Sequence, residues 1–139
     1  MKKGNASGMN KHIRELTRAE EQVMQVLWDI GKGLVHDVLE RFPEPKPAYN
    51  TVSTIIRILE QKGFISHKAY GRTYEYYPMI TKKEYTKSYF RNFMKNYFGN
   101  SYHSLASFFT KEENIDIREL EKIRKLMEDE IAKHEKQSK

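Results

Sequence analysis

The sequence predicts a mostly α-helical protein with one small β-hairpin, and three patterns support that fold class. Apolar residues recur at three- and four-residue steps in several separate stretches, as they do on amphipathic helices. The stretch FISHKAYGRTYEYYP instead alternates and is rich in aromatic residues, which is typical of strands. Glycines and the prolines of PEPKP separate these stretches. A chain of 139 residues suffices for one compact domain with a helical addition.

The N-terminal half is predicted to form three short helices followed by the hairpin. The helices share apolar residues at helical spacing and are expected at residues 17–30, 35–42 and 49–62. Thr17 and Glu20 have the spacing of a capping box, while Gly31, the PEPKP prolines and Gly63 end the three helices in turn. The alternating stretch then gives two strands, 64–69 and 73–78, joined near Gly71. This order predicts a winged helix-turn-helix domain at residues 16–79.

The flanking segments are predicted to differ from that domain. Residues 1–15 are polar and aperiodic, so we expect a flexible arm, in which Met9 is an alternative start. Apolar spacing predicts further helices at residues 82–98, 101–110 and 116–131. Thr81 with Glu84 forms a second capping box ahead of the first of these. Residues 80–139 are therefore expected to form a helical dimerisation domain.

The third predicted helix has an unusual outer face. Its core side is expected to contain the apolar residues of one arc of about 120°, namely Tyr49, Val52, Ile55, Ile56 and Leu59. The opposite side carries side chains that can hydrogen-bond: Asn50, Thr51, Ser53, Thr54 and Arg57. Asn, Ser and Thr are worse helix formers than Ala by about half a kcal/mol, so helix stability does not account for them. Short polar groups beside an arginine instead suit a helix that reads the major groove of DNA. An ordinary solvated face is the alternative.

The hairpin adds groups suited to the DNA backbone. The candidates are cationic, hydroxyl or imidazole side chains on or near the wing: Lys46, His67, Lys68, Tyr70 and Arg72. Residues 46–77 hold five basic and two acidic side chains, and this modest excess suits a specific binder better than a protein that coats DNA by charge alone. The net charge of +6 for the whole chain also favours polyanionic partners.

The C-terminal helices carry more aromatic surface than they can cover themselves. On helix 82–98 the aromatic residues span an arc of about 220°, which is too broad for one side packed on a small domain. A second copy of the chain is the simplest cover and gives a symmetric interface. The residues expected there are Tyr85, Tyr89, Phe93, Tyr97, Leu105, Phe108, Leu120, Ile123 and Met127. The alternative is that the aromatic residues pack on the winged helix of their own chain.

Other classes of protein find little support in the sequence. The chain has no cysteine, its five histidines are scattered, and no glycine-rich phosphate loop or nucleophile constellation is present. We therefore expect no catalytic residue, no metal, no cofactor and no small-molecule substrate. No apolar run is long enough to span a bilayer and no signal peptide is evident, so we expect a cytoplasmic protein. A winged helix that contacts proteins rather than DNA remains an alternative.

Three stretches, LTRAEEQVMQVLWDIG, YNTVSTIIRILEQKGFISHK and GRTYEYYPMI, together resemble the penicillinase repressor family in order and spacing. The resemblance covers residues 17–130. It implies a homodimeric repressor that places one winged helix on each half of a dyad-symmetric DNA operator and dimerises through its C-terminal helices. It also implies base contacts from Asn50, Thr51, Ser53 and Thr54, where relatives commonly carry some basic residues.

The resemblance further implies derepression by proteolysis. In the family, a membrane sensor with a metalloprotease domain responds to β-lactam, and the repressor is cut at an Asn-Phe bond in its dimerisation region. The residues aligned with that bond are Phe108 and Phe109, so the family's Asn is replaced here. A regulator of this type without regulated proteolysis is therefore an alternative. The copper-responsive branch uses C-terminal cysteines, and their absence excludes that route.

Overall fold

The computed structural model describes residues 13–138, so most of the predicted arm at 1–15 lies outside the described residues. The helices and strands of this range are α1 Arg18–Ile30, α2 Val35–Glu40, α3 Tyr49–Gln61, β1 Ile65–Tyr70, β2 Thr73–Pro78, α4 Lys82–Phe98, α5 Tyr102–Glu112 and α6 Ile117–Gln137. The predicted fold class is confirmed: the protein is mostly α-helical with a two-stranded antiparallel wing. The main differences are that α2 is two residues shorter than predicted and that α6 continues past 131.

The chain forms two compact units, which divide within α4. The first unit ends at Asn92 and the second begins at Phe93. The sequence placed all of α4 with the C-terminal domain, whereas its first half belongs to the unit that contains the winged helix. The reason is Tyr85, whose ring contacts Trp28 and Phe64 at centroid distances of 5.8 and 6.1 Å. The predicted domain boundary between residues 79 and 80 stays a prediction.

The core of the first unit is assembled from all three short helices and the wing. Its buried apolar side chains are Val23, Met24, Leu27, Val35, Val38, Phe42, Val52, Ile56, Leu59, Phe64, Ile65, Tyr76 and Tyr85. The helical spacing predicted most of these positions, because apolar residues three and four apart share one face. Tyr49 was wrongly expected among them: it is 50% exposed. As the first residue of α3, it lies at the end of the helix rather than over the core.

The start of α1 is anchored to the end of α3. The predicted capping box is present, with Thr17 Oγ1 accepting from the Glu20 amide at 3.2 Å and the Glu20 carboxylate accepting from the Thr17 amide at 2.9 Å. The second oxygen of that carboxylate accepts from Lys62 Nζ at 2.7 Å. Glu20 is almost fully buried. Burial alone raises the pKa of Glu20, but the hydrogen bonds from Lys62 and Thr17 outweigh it, so the pKa lies below its ordinary value.

The wing is tied to the helices on its inner side. Its register pairs His67 with Tyr76 and Tyr70 with Thr73, which leaves a two-residue turn. Gly71 takes a φ of 63° in that turn, a conformation that hairpin turns require and glycine adopts readily. On the other side of β2, Gly33 and Tyr76 exchange two backbone hydrogen bonds of 2.9 and 2.8 Å. The wing is thereby fixed to the loop between α1 and α2.

The second unit contains the end of α4, α5 and α6. Aromatic rings pack together within it: Phe98 contacts Phe93 at 5.6 Å and Phe108 at 5.7 Å between centroids. Asp116 caps α6 by accepting from the Arg118 amide at 3.1 Å. Across residues 13–138, no helix has the length and apolar character to cross a membrane.

Candidate nucleic-acid interface

The outer face of α3 presents its polar side chains much as the sequence predicts. Asn50, Thr51, Thr54 and Arg57 are exposed and Ser53 is half-buried. The guanidinium of Arg57 donates to Ser53 Oγ at 2.9 Å and to Thr54 Oγ1 at 3.4 Å. These three side chains therefore form one continuous polar patch along the helix. In it, each hydroxyl accepts from the arginine and keeps its own proton for donation.

An aromatic side chain missed by the sequence analysis extends this face. Tyr49 stands half-exposed at the first turn of α3, next to Asn50. Its position in the apolar arc suggested burial, and only the packing of α3 against α1 and α2 shows that the arc ends before it. Its exposed ring and hydroxyl add apolar contact and a hydrogen-bonding group to the interface.

The tip of the wing carries three of the predicted backbone-contacting residues in exposed positions. Lys68 and Tyr70 lie on the same side of β1, since they are two residues apart in a strand. The ammonium group of Lys68 is 5.4 Å from the centroid of the Tyr70 ring. Arg72 follows Gly71 in the turn and is exposed. The tip therefore offers two cations and one phenol to a partner.

Two other predicted contacts already have partners inside the protein. His67 Nδ1 lies 2.5 Å from a Glu60 carboxylate oxygen, and its ring stacks on Tyr74 at 4.2 Å. It thus joins the last turns of α3 to the wing. The ammonium group of Lys46 donates to the backbone oxygens of Glu40 and Phe42 at 2.9 and 2.6 Å, which satisfies carbonyls at the end of α2. Phosphate contacts by either residue would compete with these bonds.

The predicted dimerisation residues fall into three groups by exposure. Tyr85 is only 5% exposed and its hydroxyl accepts from the Leu16 amide at 2.9 Å, so the expectation that it faces a second chain is corrected. Burial raises the pKa of this phenol. The exposed members are Tyr89, Tyr97, Phe108 and Met127, and the half-buried ones are Phe93, Leu105, Leu120 and Ile123.

The predicted cleavage site lies inside a helix. Phe108 and Phe109 belong to α5, with Phe108 48% exposed and Phe109 half-buried. A protease that binds extended backbone would therefore require local unwinding of α5 first. As for metal ions, no group of three or more potential His, Asp or Glu ligands comes together in the part of the chain that the structure describes.

Three helices followed by a wing, with a polar face on the third helix, define a winged-helix protein. Over residues 16–129 the chain matches the model of the penicillinase repressor family, and it belongs to that family. The resemblance found in the sequence is thus confirmed.

Several relatives of known name are similar over nearly their whole length. The methicillin resistance regulatory protein MecI of Staphylococcus aureus strain N315 is 24% identical over 120 residues, which is 86% of this chain and 98% of that protein. The penicillinase repressor of Bacillus licheniformis is 22% identical over 120 residues, covering 86% of this chain and 94% of that one. Among solved structures, the DNA-binding domain of the repressor BlaI aligns with 27% identity and a TM-score of 0.46, over 52% of this chain and 90% of that domain.

Proposed function

We propose that the protein is a sequence-specific DNA-binding repressor that acts as a homodimer on a dyad-symmetric operator. The observation that carries this proposal is the continuous polar patch of Ser53, Thr54 and Arg57 on the outer face of α3, with the cations of the wing tip on the same unit. Membership of a family whose named relatives include a repressor supports it.

The proposal assigns different work to the two elements. Asn50, Thr51, Ser53, Thr54 and Arg57 read base edges in the major groove, where amide, hydroxyl and guanidinium groups distinguish base pairs. Lys68, Tyr70 and Arg72 contact the sugar-phosphate backbone, which positions the protein without reading sequence. The bonds from Arg57 to Ser53 and Thr54 hold the guanidinium along the helix before DNA arrives.

Homodimerisation follows from the apolar side chains that the second unit leaves exposed. Tyr97, Phe108 and Met127 are between 48% and 74% exposed, and Leu126 and Ile131 of α6 add to them at 59% and 56%. A second copy would cover such surface symmetrically. Two linked winged helices then bind an inverted repeat with half-sites near one helical turn, or a multiple of it, apart. Separation of the copies weakens binding because the high effective concentration of the second half-site is lost.

Derepression is proposed to occur by cleavage within the segment from Ser104 to Glu113, in response to β-lactam or another stress. A membrane sensor with a linked protease would be the partner for this step. Phe108 replaces the Asn of the family's cleavage site, which points to a protease of different specificity.

The division of roles on DNA is tested with two substitutions and matched controls. Fluorescence anisotropy compares binding to the DNA upstream of the protein's own gene with binding to a shuffled duplex. Thr54→Ala should reduce operator affinity by up to about 1–3 kcal/mol at one base pair and relax specificity there. Lys68→Ala should weaken both duplexes equally. The controls are Thr86→Ala and Lys125→Ala, which change exposed residues outside α3 and the wing.

The outcomes separate the proposal from its alternative. Operator preference of about a thousandfold, with two protomers bound per inverted repeat, is the expected result for the wild-type protein. Binding that is weak, equal on both duplexes and insensitive to salt would contradict DNA recognition and favour a protein partner. Equal losses on both duplexes for Thr54→Ala would contradict base reading by α3.

A further inference from the structure

The positive charge of this protein is concentrated on α4 rather than on the winged helix. Residues 13–79, which include α3 and the wing, hold nine basic and nine acidic side chains and are therefore neutral. Residues 80–100 hold five basic side chains and one acidic one. Residues 101–139 hold eight basic and nine acidic ones. The helix that follows the wing thus carries most of the charge excess of the described residues.

These cations form a regular stripe on one side of α4. Lys83, Lys87 and Arg91 recur every four residues and are all exposed. At 100° per residue they lie about 160° to 240° around the helix from Tyr85, opposite the side that enters the core. The stripe is about 12 Å long at the helical rise of about 1.5 Å per residue. All of it belongs to the same compact unit as α3 and the wing.

The lysines of this stripe have no carboxylate partner among residues 13–138. No ion pair within 4.0 Å involves Lys83 or Lys87 in that range. The one acidic residue of α4, Glu84, accepts instead from the Thr81 amide at 2.8 Å. On α6 the situation is reversed: Lys125 pairs with Asp129 at 3.2 Å and Lys133 with Glu130 at 3.3 Å. The α4 stripe is therefore an uncompensated line of positive charge.

We propose that the stripe of Lys83, Lys87 and Arg91 is a second, sequence-independent DNA-contacting surface that supplies most of the salt-dependent affinity. The inference deepens the proposed function and rests on it. Duplex DNA carries about one negative charge per 1.7 Å of axis, so about 12 Å of stripe faces about seven phosphates. The neutral winged helix selects the sequence, while the stripe binds phosphates outside the base-reading contacts.

The chemistry of the stripe favours phosphates over other anions in this setting. Lysines act as point charges for phosphate oxygens, and Arg91 adds a planar fork that can bind two of them. Because the stripe shares a compact unit with α3, every operator complex brings it near the same polyanion. Neutralised phosphates release counterions, and each contact contributes about 0.9 to the slope of log affinity against log salt.

The test is the double substitution Lys83→Gln and Lys87→Gln in the full chain. Two lost phosphate contacts should reduce the salt slope by about 1.8, on the operator and on a shuffled duplex alike. Between about 50 and 200 mM salt this corresponds to about a 12-fold smaller loss of affinity. The ratio of operator to shuffled affinity should not change. The matched control, Lys125→Gln with Lys133→Gln, removes the same net charge from paired lysines of α6 and should leave the slope unchanged.

Other outcomes overturn the proposal. Wild-type slopes in the stripe variant, with a folded protein by circular dichroism, would refute DNA contact. With such slopes, loss of binding to phosphatidylserine vesicles would assign the stripe to an anionic lipid surface. Dissociation of the dimer in sedimentation would assign it to carboxylates of a second copy. If the wild type shows no operator preference but the variant still loses slope on the shuffled duplex, the specific repressor is refuted and the stripe is not.

Discussion

The ion pair between Lys62 and Glu20 offers the sharpest test of how this fold is held together. It joins the end of α3 to the start of α1, with Lys62 Nζ 2.7 Å from a Glu20 carboxylate oxygen. The Glu20 side chain is 6% exposed and the Lys62 side chain 26%. Lys62→Met keeps the length of the side chain while removing the charge and the donor. The change therefore leaves a buried carboxylate with only its capping-box partner.

The expected cost follows from burial and hydrogen bonding. A hydrogen bond to a charged group contributes about 1.5–3 kcal/mol, and breaking a fully buried pair costs about 3–5 kcal/mol. Water reaches Lys62 and can partly replace it, so we expect Lys62→Met to lower the free energy of unfolding by about 2 kcal/mol near pH 7. An exposed pair such as Lys125 with Asp129 should lose no more than about 1 kcal/mol on the same change.

The pH dependence gives the prediction its sign. In the wild-type protein the pKa of Glu20 is lowered from 4.5, so its contribution is fully present above that pH and is lost as pH falls through the folded value. In Lys62→Met, the bond that lowered the pKa is gone and the effect of burial remains, so acidification relieves the unpaired charge. The stability difference between the two proteins should therefore shrink on going from about pH 7 to about pH 3.5.

Urea denaturation at both pH values, at one fixed protein concentration, measures this difference. The variant Glu20→Gln with Lys62→Met keeps a capping-box residue but buries no charge, and it should recover at least half of the lost stability. Lys125→Met serves as the control for loss of an exposed lysine. A loss that is equal at both pH values, or that the double variant does not recover, would refute the argument that an unpaired buried carboxylate is the cause.

Three further substitutions probe other contacts. Trp28→Phe removes the 2.8 Å hydrogen bond from the indole to the Ile80 carbonyl and should cost about 1 kcal/mol, with an unchanged urea midpoint as the contrary result. Gly33→Ala would place a Cβ 2.9 Å from Ile30 Cδ1 and should cost about 1–3 kcal/mol in thermal unfolding; full tolerance would mean that the contact relaxes freely. Ile123→Asp on α6 should convert the proposed dimer to monomers in sedimentation, and a persistent dimer would place the interface elsewhere.

Elements formed by near neighbours were the most predictable from the sequence. The bounds predicted for α4, 82–98, agree with the structure, because Thr81 and Glu84 cap its start and Gly99 follows its end. The capping box of α1 was equally local. The polar face of α3 was predicted because helical periodicity assigns each residue to a side of the helix without reference to the rest of the fold.

Only the tertiary structure decided what several of those side chains do. Glu20 looked like a solvated helix-start charge, yet it is buried against Lys62, 42 residues away. Tyr85 looked like an interface residue, yet its hydroxyl meets the Leu16 amide across 69 residues. His67 looked free for phosphate, yet it lies against Glu60. Periodicity along the chain determines which face a side chain occupies, whereas its partner depends on which distant segment packs there, and that is set by the fold as a whole.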